Sequence, residues 1–384
     1  MGIDEADSMR GARLEDGVEV PARKREHVAH AVPQERTHEQ ITGFGHGRSP
    51  SWAQSAPSIV PPFPGSGYDG AHIAPAARES TIRGVEVLER RVGYYSEGDR
   101  ISAALYLPAN ASAQSPVPGV VLCHGFTGIK ELTLPDYGRG FARAGIAALA
   151  FDYRGFGESE GTRGRLVARR QNEDIHNSVT FMETLSEVDP RRIGLWGTSY
   201  GAANAIVAAA ADLRVRCVPA QVGFADGGRR MRGRPAEETA PVRALIEYER
   251  RQRVLTGSSA MVDPLQVLKD TGSVAFFTVA REEFPTLAEP ISMEFMESAF
   301  DHRPMAVADA LAGRPLLLVA DEHDTVTPAS EFEALYAAAS GPNRLVVIPG
   351  IRHREVSSGE PLERSIAEAA GWFARHLSPV TVAA

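Results

Sequence analysis

Gly197-Thr-Ser199-Tyr-Gly201 sets a serine between two glycines, where the short apolar run ending at Trp196 gives way to the alanine-rich stretch from Ala202 to Ala211. A strand that turns sharply into a helix at such a pentapeptide holds its serine on a strained backbone and lifts the hydroxyl clear of the sheet. Glycine at 197 and 201 suits that turn, because a Cβ at either position would crowd the closely approaching strand and helix. An ordinary strand-to-helix turn has the same local pattern, so the reading depends on partners elsewhere in the chain. A serine hydroxyl is a poor nucleophile near neutral pH and needs a base, itself oriented by a third group. Asp324 follows the apolar run from Pro315 to Ala320, and His353 follows the run from Arg344 to Ile348. Serine, then aspartate, then histidine, each behind a strand, is the order in which one kind of α/β sheet presents such a trio. Asp321, His302, His323 and His376 are further groups of the right types.

The elements that must position these residues can be read from the periodicity. Val85 to Tyr94 and Ile101 to Leu107 read as a hairpin at a sheet edge, and Gly119 to Cys123 and Ile146 to Phe151 as buried strands. Helical periods over Tyr137–Ala144 and Val167–Leu185, the strand before Ser199 and its helix, and Val215–Val222 continue a βαβ rhythm. That rhythm predicts an α/β fold, a mostly parallel central sheet with helices on both faces. A helix over Ala329–Ala339, a strand over Arg344–Ile348 and a closing helix over Pro361–His376 complete it. The expected core is residues 85–223 and 314–380.

Between residues 224 and 313 the alternation stops. A run from Pro241 to Leu255 is helical in pattern, with Glu247 and Glu249 each four residues before an arginine, as on an exposed helical face. Further helical pieces carry Phe276, Phe277, Phe284, Phe295 and Phe300. An insertion between two core strands would sit over the carboxyl ends of the sheet, where ligands bind in this architecture, so it reads as a helical cap. Its arginines at 229, 230, 232 and 234 read as a solvated loop rather than an anion site.

Residues 1–84 are rich in Arg, Glu, His, Pro and Gly and show no sustained period, which predicts a disordered or loosely docked tail. His27, His30, His38 and His46 lack carboxylate or cysteine partners at ligand spacing, so they read as solvated groups and not as a metal site. Use of the tail, or of the cap, in homo-oligomerisation stays open.

Composition narrows the function further. The 384 residues can bury a large core, and a formal charge of -8 argues against nucleic acid as a partner. Two cysteines, Cys123 and Cys217, exclude a disulfide framework. The acidic amino terminus shows no secretory signal, and no apolar run reaches membrane-spanning length, so a cytoplasmic address is expected.

His124-Gly-Phe-Thr-Gly128, Asp152-Tyr-Arg-Gly-Phe-Gly157, Gly197-Thr-Ser-Tyr-Gly201, the Asp324-x-x-x-Pro328 turn and Gly350-x-x-His353 occur in this order. With these five motifs the chain, from Val85 to Ser378, resembles an α/β-hydrolase. More narrowly, it resembles the dienelactone-hydrolase-like and peptidase S15-like serine esterases, a group that also includes polyketide-processing transferases. The resemblance implies Ser199 as nucleophile, His353 as base and Asp324 as its orienting acid, because the family's turn places the acid four residues before a proline. It implies an oxyanion hole built from the backbone N–H groups of Phe126 and Tyr200. It further implies that His124 supports the oxyanion loop and that Asp152 and Arg154 form a structural pair. His376 is expected to aid the carboxyl cap of the last helix. The implied activity is hydrolysis of a carboxylic ester or related acyl bond in a small-molecule substrate, through an acyl-enzyme and without metal or organic cofactor. Phe276, Phe284 and Phe295 of the cap are the expected substrate-binding residues. An acyltransferase or biosynthetic thioesterase would use the same trio, and a non-catalytic binding protein on the same fold is the alternative of another class.

Overall fold

The computed structural model describes residues 86–311 and 313–378. The tail expected over residues 1–84, with its histidines, lies outside them. The sheet begins with a hairpin, β1 (Val87–Ser96) and β2 (Asp99–Pro108), turned at Glu97 and Gly98, both at positive φ. β3 (Val117–Cys123), β4 (Ala147–Phe151), β5 (Val188–Thr198), β6 (Val218–Gln221), β9 (Leu316–Asp321) and β10 (Asn343–Ile348) complete an eight-stranded sheet in the order β1-β2-β4-β3-β5-β6-β9-β10. β2 runs antiparallel to both its neighbours, and every pairing from β4 to β10 is parallel. This is the α/β architecture expected from the sequence.

Side chains on a strand alternate between faces, and the core divides accordingly. Val120 and Leu122 of β3, with Leu317 and Val319 of β9, pack on one face beneath α1 (Leu134–Arg143) and α9 (Gly359–His376). Tyr137, Phe141, Trp196 and Phe373 interlock there, with Tyr137 and Trp196 ring centroids 4.1 Å apart. Val121 and Cys123, with Leu316, Leu318 and Ala320, point to the opposite face. That face is covered by α2 (Ala168–Glu183), α3 (Tyr200–Ala211) and α8 (Ala329–Ala338). α3 is mostly buried alanine, so its backbone can lie close to β5. Burying apolar surface on both faces of a parallel sheet is the main stabilising term in such a fold. Cys123 and Cys217 are both buried free thiols.

The segment between β6 and β9 carries α4 (Arg229–Arg232), α5 (Ala236–Thr256), α6 (Thr271–Glu283) and α7 (Glu294–Asp301), with a two-stranded ribbon of β7 (Met261–Val262) and β8 (Ile291–Ser292). Three local expectations are corrected here. α5 starts five residues before Pro241, since Ala236 and the first-turn acids Glu237 and Glu238 already favour a helix amino terminus. Glu249 does not pair with Arg253. It is buried and accepts from Ser259 Oγ at 2.6 Å and Ala260 N at 3.0 Å, while Arg253 reaches Glu297 on α7. The expected arginine loop is a helical turn whose Arg229 pairs with Glu331 of α8 at 3.0 Å and whose Arg232 pairs with Asp226. Among the described residues no helix is long and apolar enough to cross a membrane.

Candidate active site

β5 and α3 meet at Ser199, which has φ 55° and ψ −121°, a conformation unfavourable for any residue with a Cβ. Its amide donates to the Gln221 carbonyl at 2.9 Å, which ties the turn to β6. A Cβ on Gly197 would collide with the Gly201 carbonyl, and one on Gly201 with the carbonyls of Cys123 and His124. Close approach therefore requires both glycines, and the strain is carried by the serine between them.

The loops after β9 and β10 bring Asp324 and His353 to the same sheet end. His353 Nε2 stands 3.1 Å from Ser199 Oγ, and His353 Nδ1 stands 2.6 Å from Asp324 Oδ2. Asp324 and His353 are both buried. Asp324 Oδ1 accepts from the N–H groups of Val326 and Thr327, each at 2.8 Å. Thr327 Oγ1 lies 2.8 Å from Asp324 Oδ2, 2.6 Å from the Val222 carbonyl and 3.2 Å from His353 Nδ1. With one hydroxyl proton for two acceptors, Thr327 couples the carboxylate to the chain just beyond β6. Sequence reasoning missed this residue, and the only signal for it is a hydroxyl inside the Asp324-to-Pro328 turn. Such a line of hydrogen bonds can pass a proton from a serine hydroxyl to an imidazole while a carboxylate balances the imidazolium.

The other groups of the right type stand elsewhere. Asp321 ends β9 fully buried, and neither carboxylate oxygen meets a donor among the described residues. Burial first, then the charges of Asp324 and Glu355, push its pKa up to about 8. His323 is exposed. His302 is buried beside Tyr200 and Phe224, at centroid distances of 5.5 and 5.7 Å, and burial lowers its pKa to about 4. His376 lies in the last turn of α9 against Trp372, at 4.4 Å.

The loop over residues 124–128 leans on the serine, since a Cβ on Gly125 would stand 3.2 Å from Ser199 Cβ. Tyr200 is the first residue of α3, and helix geometry leaves its N–H without an intrahelical acceptor. Among the described residues neither that N–H nor the N–H of Phe126 meets a backbone acceptor outside the regular elements. Thr127 holds φ 53°, a second strained residue in this loop. His124 Nδ1 is 3.0 Å from the Gly125 carbonyl, and burial lowers its pKa to about 4, so the imidazole braces the loop in its neutral form. Asp152 fastens the far end of this loop. It accepts from Lys130 N at 2.7 Å and Lys130 Nζ at 2.8 Å, whereas Arg154 pairs with Asp174 and Glu173 on α2. Asp152 and Arg154 are thus both structural, but they do not pair with each other, because each is nearer to a complementary charge from another element.

A cavity of about 30 Å³ adjoins Ser199, room for on the order of two water molecules. Phe126, Ile129, Leu132, Val222, Phe276 and Phe277 form its apolar wall, together with His353 and Arg354. Of the three cap phenylalanines expected there, Phe276 lines it. Phe284 packs with Ile129, Phe277 and Leu287, and Phe295 is buried with its ring centroid 5.6 Å from that of Phe126. Phe277 and Arg354 were not among the expected lining residues. Arg354 lays its guanidinium over Phe276 and Phe277, 5.0 and 4.9 Å from their centroids. Among the described residues no group of three or more His, Cys, Asp or Glu side chains could hold a metal ion.

Similarity to known proteins agrees with this fold. A 31.7 kDa protein encoded in the traX-finO intergenic region of Escherichia coli is 37% identical over 262 residues, 68% of this chain and 91% of that one. The acyltransferase drtE of Aspergillus calidoustus is 31% identical over 260 residues, 63% of this chain and 81% of that one. The crystal structure of the hypothetical protein PA2218 from Pseudomonas aeruginosa superposes with a TM-score of 0.65 at 25% identity, covering 76% of this chain and 94% of that one. The model of the alpha/beta hydrolase family matches residues 120–367, which span the sheet from β3 onward, both loops that carry Asp324 and His353, and the insertion between β6 and β9. On that match, the chain belongs to the alpha/beta hydrolase family.

Proposed function

We propose that the protein cleaves a carboxylic ester or related acyl bond through an acyl-enzyme formed on Ser199. The observation that supports it most is the line from Ser199 Oγ through His353 to Asp324, with steps of 3.1 and 2.6 Å. In this reading Ser199 Oγ attacks the acyl carbon as its proton passes to His353 Nε2, and the Asp324 carboxylate stabilises the imidazolium without taking the proton. Negative charge on the former carbonyl oxygen is received by the N–H groups of Phe126 and Tyr200. Each donor of such a hole is worth about 3 kcal/mol in the transition state. Collapse breaks the bond to the leaving group, which departs with the proton from His353. Water then attacks the acyl-enzyme, giving a proton to His353 that returns to Ser199 Oγ as the acid product leaves. Residues 224–313 act as the cap, and Phe276 and Phe277 supply the wall against which the acyl group rests.

A second reading replaces water by another acceptor. The 31% identical relative is named an acyltransferase, and transfer would use the same line from Ser199 through His353 to Asp324. Incubation with p-nitrophenyl esters and thioesters, with and without added alcohols and amines, separates the two. Acid product that is insensitive to the added nucleophile supports hydrolysis, whereas transfer product that displaces it supports the second reading. Failure to release p-nitrophenol or thiol from any donor would contradict both.

A further inference from the structure

We propose that Arg354 is a specificity-determining residue that receives an anionic oxygen group, a carboxylate or phosphate, carried by the acyl substrate. The inference rests on the acyl-cleavage reading above and adds a substrate class to it. Arg354 follows His353 directly and lines the same cavity as Ser199. Its Nε and Nη2 donate to Ser273 Oγ at 3.2 and 3.1 Å. A guanidinium carries five N–H donors, so both donors of Nη1 and one of Nη2 meet no acceptor among the described residues. Among the described residues no carboxylate stands within 4.0 Å of it. The two acids that act on it are already engaged. Asp270 caps α6 by accepting from Ser273 N at 2.8 Å, and Asp324 is held by His353 and the turn after it.

The surroundings make this an unusual place for an unmatched cation. The lining mixes apolar side chains with neutral polar ones, and among the described residues that line the cavity Arg354 is the one permanently charged group. Burial pulls its pKa down to about 10, a penalty that an anion at the same spot would relieve. A purely structural role, clamping α6 to the His353 loop, would use the guanidinium face on Phe276 and Phe277 and the two bonds to Ser273 Oγ. It would leave the free edge without a use. A guanidinium whose face is fixed by two rings and whose edge stays unpaired is pre-organised for two parallel bonds to a carboxylate or phosphate.

The test compares substrates that differ in charge and little in size. Monoethyl glutarate against ethyl valerate places the anion on the acyl side. 4-Acetoxybenzoate and 4-acetoxyphenyl phosphate, each against phenyl acetate, place it on the leaving group. The wild-type enzyme should favour at least one anionic member by about tenfold or more in kcat/KM, the scale of a hydrogen bond to a charged group. The favoured pair identifies which side carries the anion. Arg354→Met keeps an unbranched stem against the phenylalanines, and it should lower kcat/KM for the anionic member at least about tenfold more than for its neutral partner. Arg354→Lys should restore part of that difference. Equal preference in the wild type, or an equal loss on both members in Arg354→Met, would overturn the proposal and leave Arg354 a structural clamp. Should the methionine variant fail to fold, protection of the wild type decides: glutarate, and not valeramide, should slow labelling of Ser199 by a fluorophosphonate, and equal effects would overturn the proposal. Labelling of Ser199 with turnover of the neutral esters, but without charge preference, refutes the Arg354 inference alone. Absence of labelling refutes the acyl-cleavage reading beneath it.

Discussion

His353 Nδ1 stands 2.6 Å from Asp324 Oδ2, while Asp321, three residues earlier, points both oxygens into the protein without a donor among the described residues. The two carboxyl groups are close in sequence and opposite in circumstance. Asp324→Asn should lower kcat on the order of 10⁴-fold, the consequence of holding the imidazole in the wrong tautomer. Asp321→Asn should lower it far less. Steady-state kinetics on one ester with both purified variants makes the comparison, and the reverse ranking would move the triad carboxylate to position 321.

Asp321 also carries a prediction about stability. Its folded-state pKa of about 8 lies above the unfolded carboxylate value near 3.9. The folded protein therefore keeps a proton that the unfolded chain releases. The contribution is fully present below about pH 4 and is lost as pH rises through about 8. Asp321→Asn replaces the acid by a group that cannot ionise. Its stability relative to the wild type should climb between pH 5 and pH 8, by on the order of 3 kcal/mol at the upper end. Urea denaturation of both proteins at the two pH values measures this. A constant difference would show that Asp321 is ionised in the folded state throughout.

Selectivity should follow the wall of the cavity. Phe276 and Phe277 line it, and Phe284 packs against Ile129, Phe277 and Leu287. Phe276→Ala and Phe277→Ala should shift the kcat/KM ratio between short and bulky acyl esters by roughly 1 to 3 kcal/mol each. Phe284→Ala should lower Tm with the ranking of substrates preserved. Identical ranking in all three variants would place the selectivity element in the core loops and not in the cap.

The parts of this molecule that were legible in the sequence are those fixed by local chemistry. The elbow declares itself because Gly197 and Gly201 sit against carbonyls only a few residues away or on the next strand. The resemblance selects Asp324 over Asp321, because its turn places the acid four residues before Pro328, and that turn supplies the Val326 and Thr327 amides. The strands β3 to β6 and β9 show as apolar runs because both of their faces are covered. What stayed hidden depends on meetings between distant segments. Arg354 finds Ser273 across 81 residues, and Asp152 finds Lys130 instead of its near neighbour Arg154. Glu249 looks like half of a surface pair until the turn at Ser259 and Ala260 folds back on it. No periodicity reports such contacts, because it records which face of an element is apolar and not which element will cover it.

The most direct measurement is active-site labelling of the purified protein by a fluorophosphonate, with the modified peptide identified by mass spectrometry. One equivalent should be incorporated, on Ser199, and Ser199→Ala should lose both labelling and ester turnover while keeping the wild-type fold by circular dichroism. Full turnover in the folded alanine variant, or stoichiometric labelling at another residue, would contradict the assignment of Ser199 as the nucleophile.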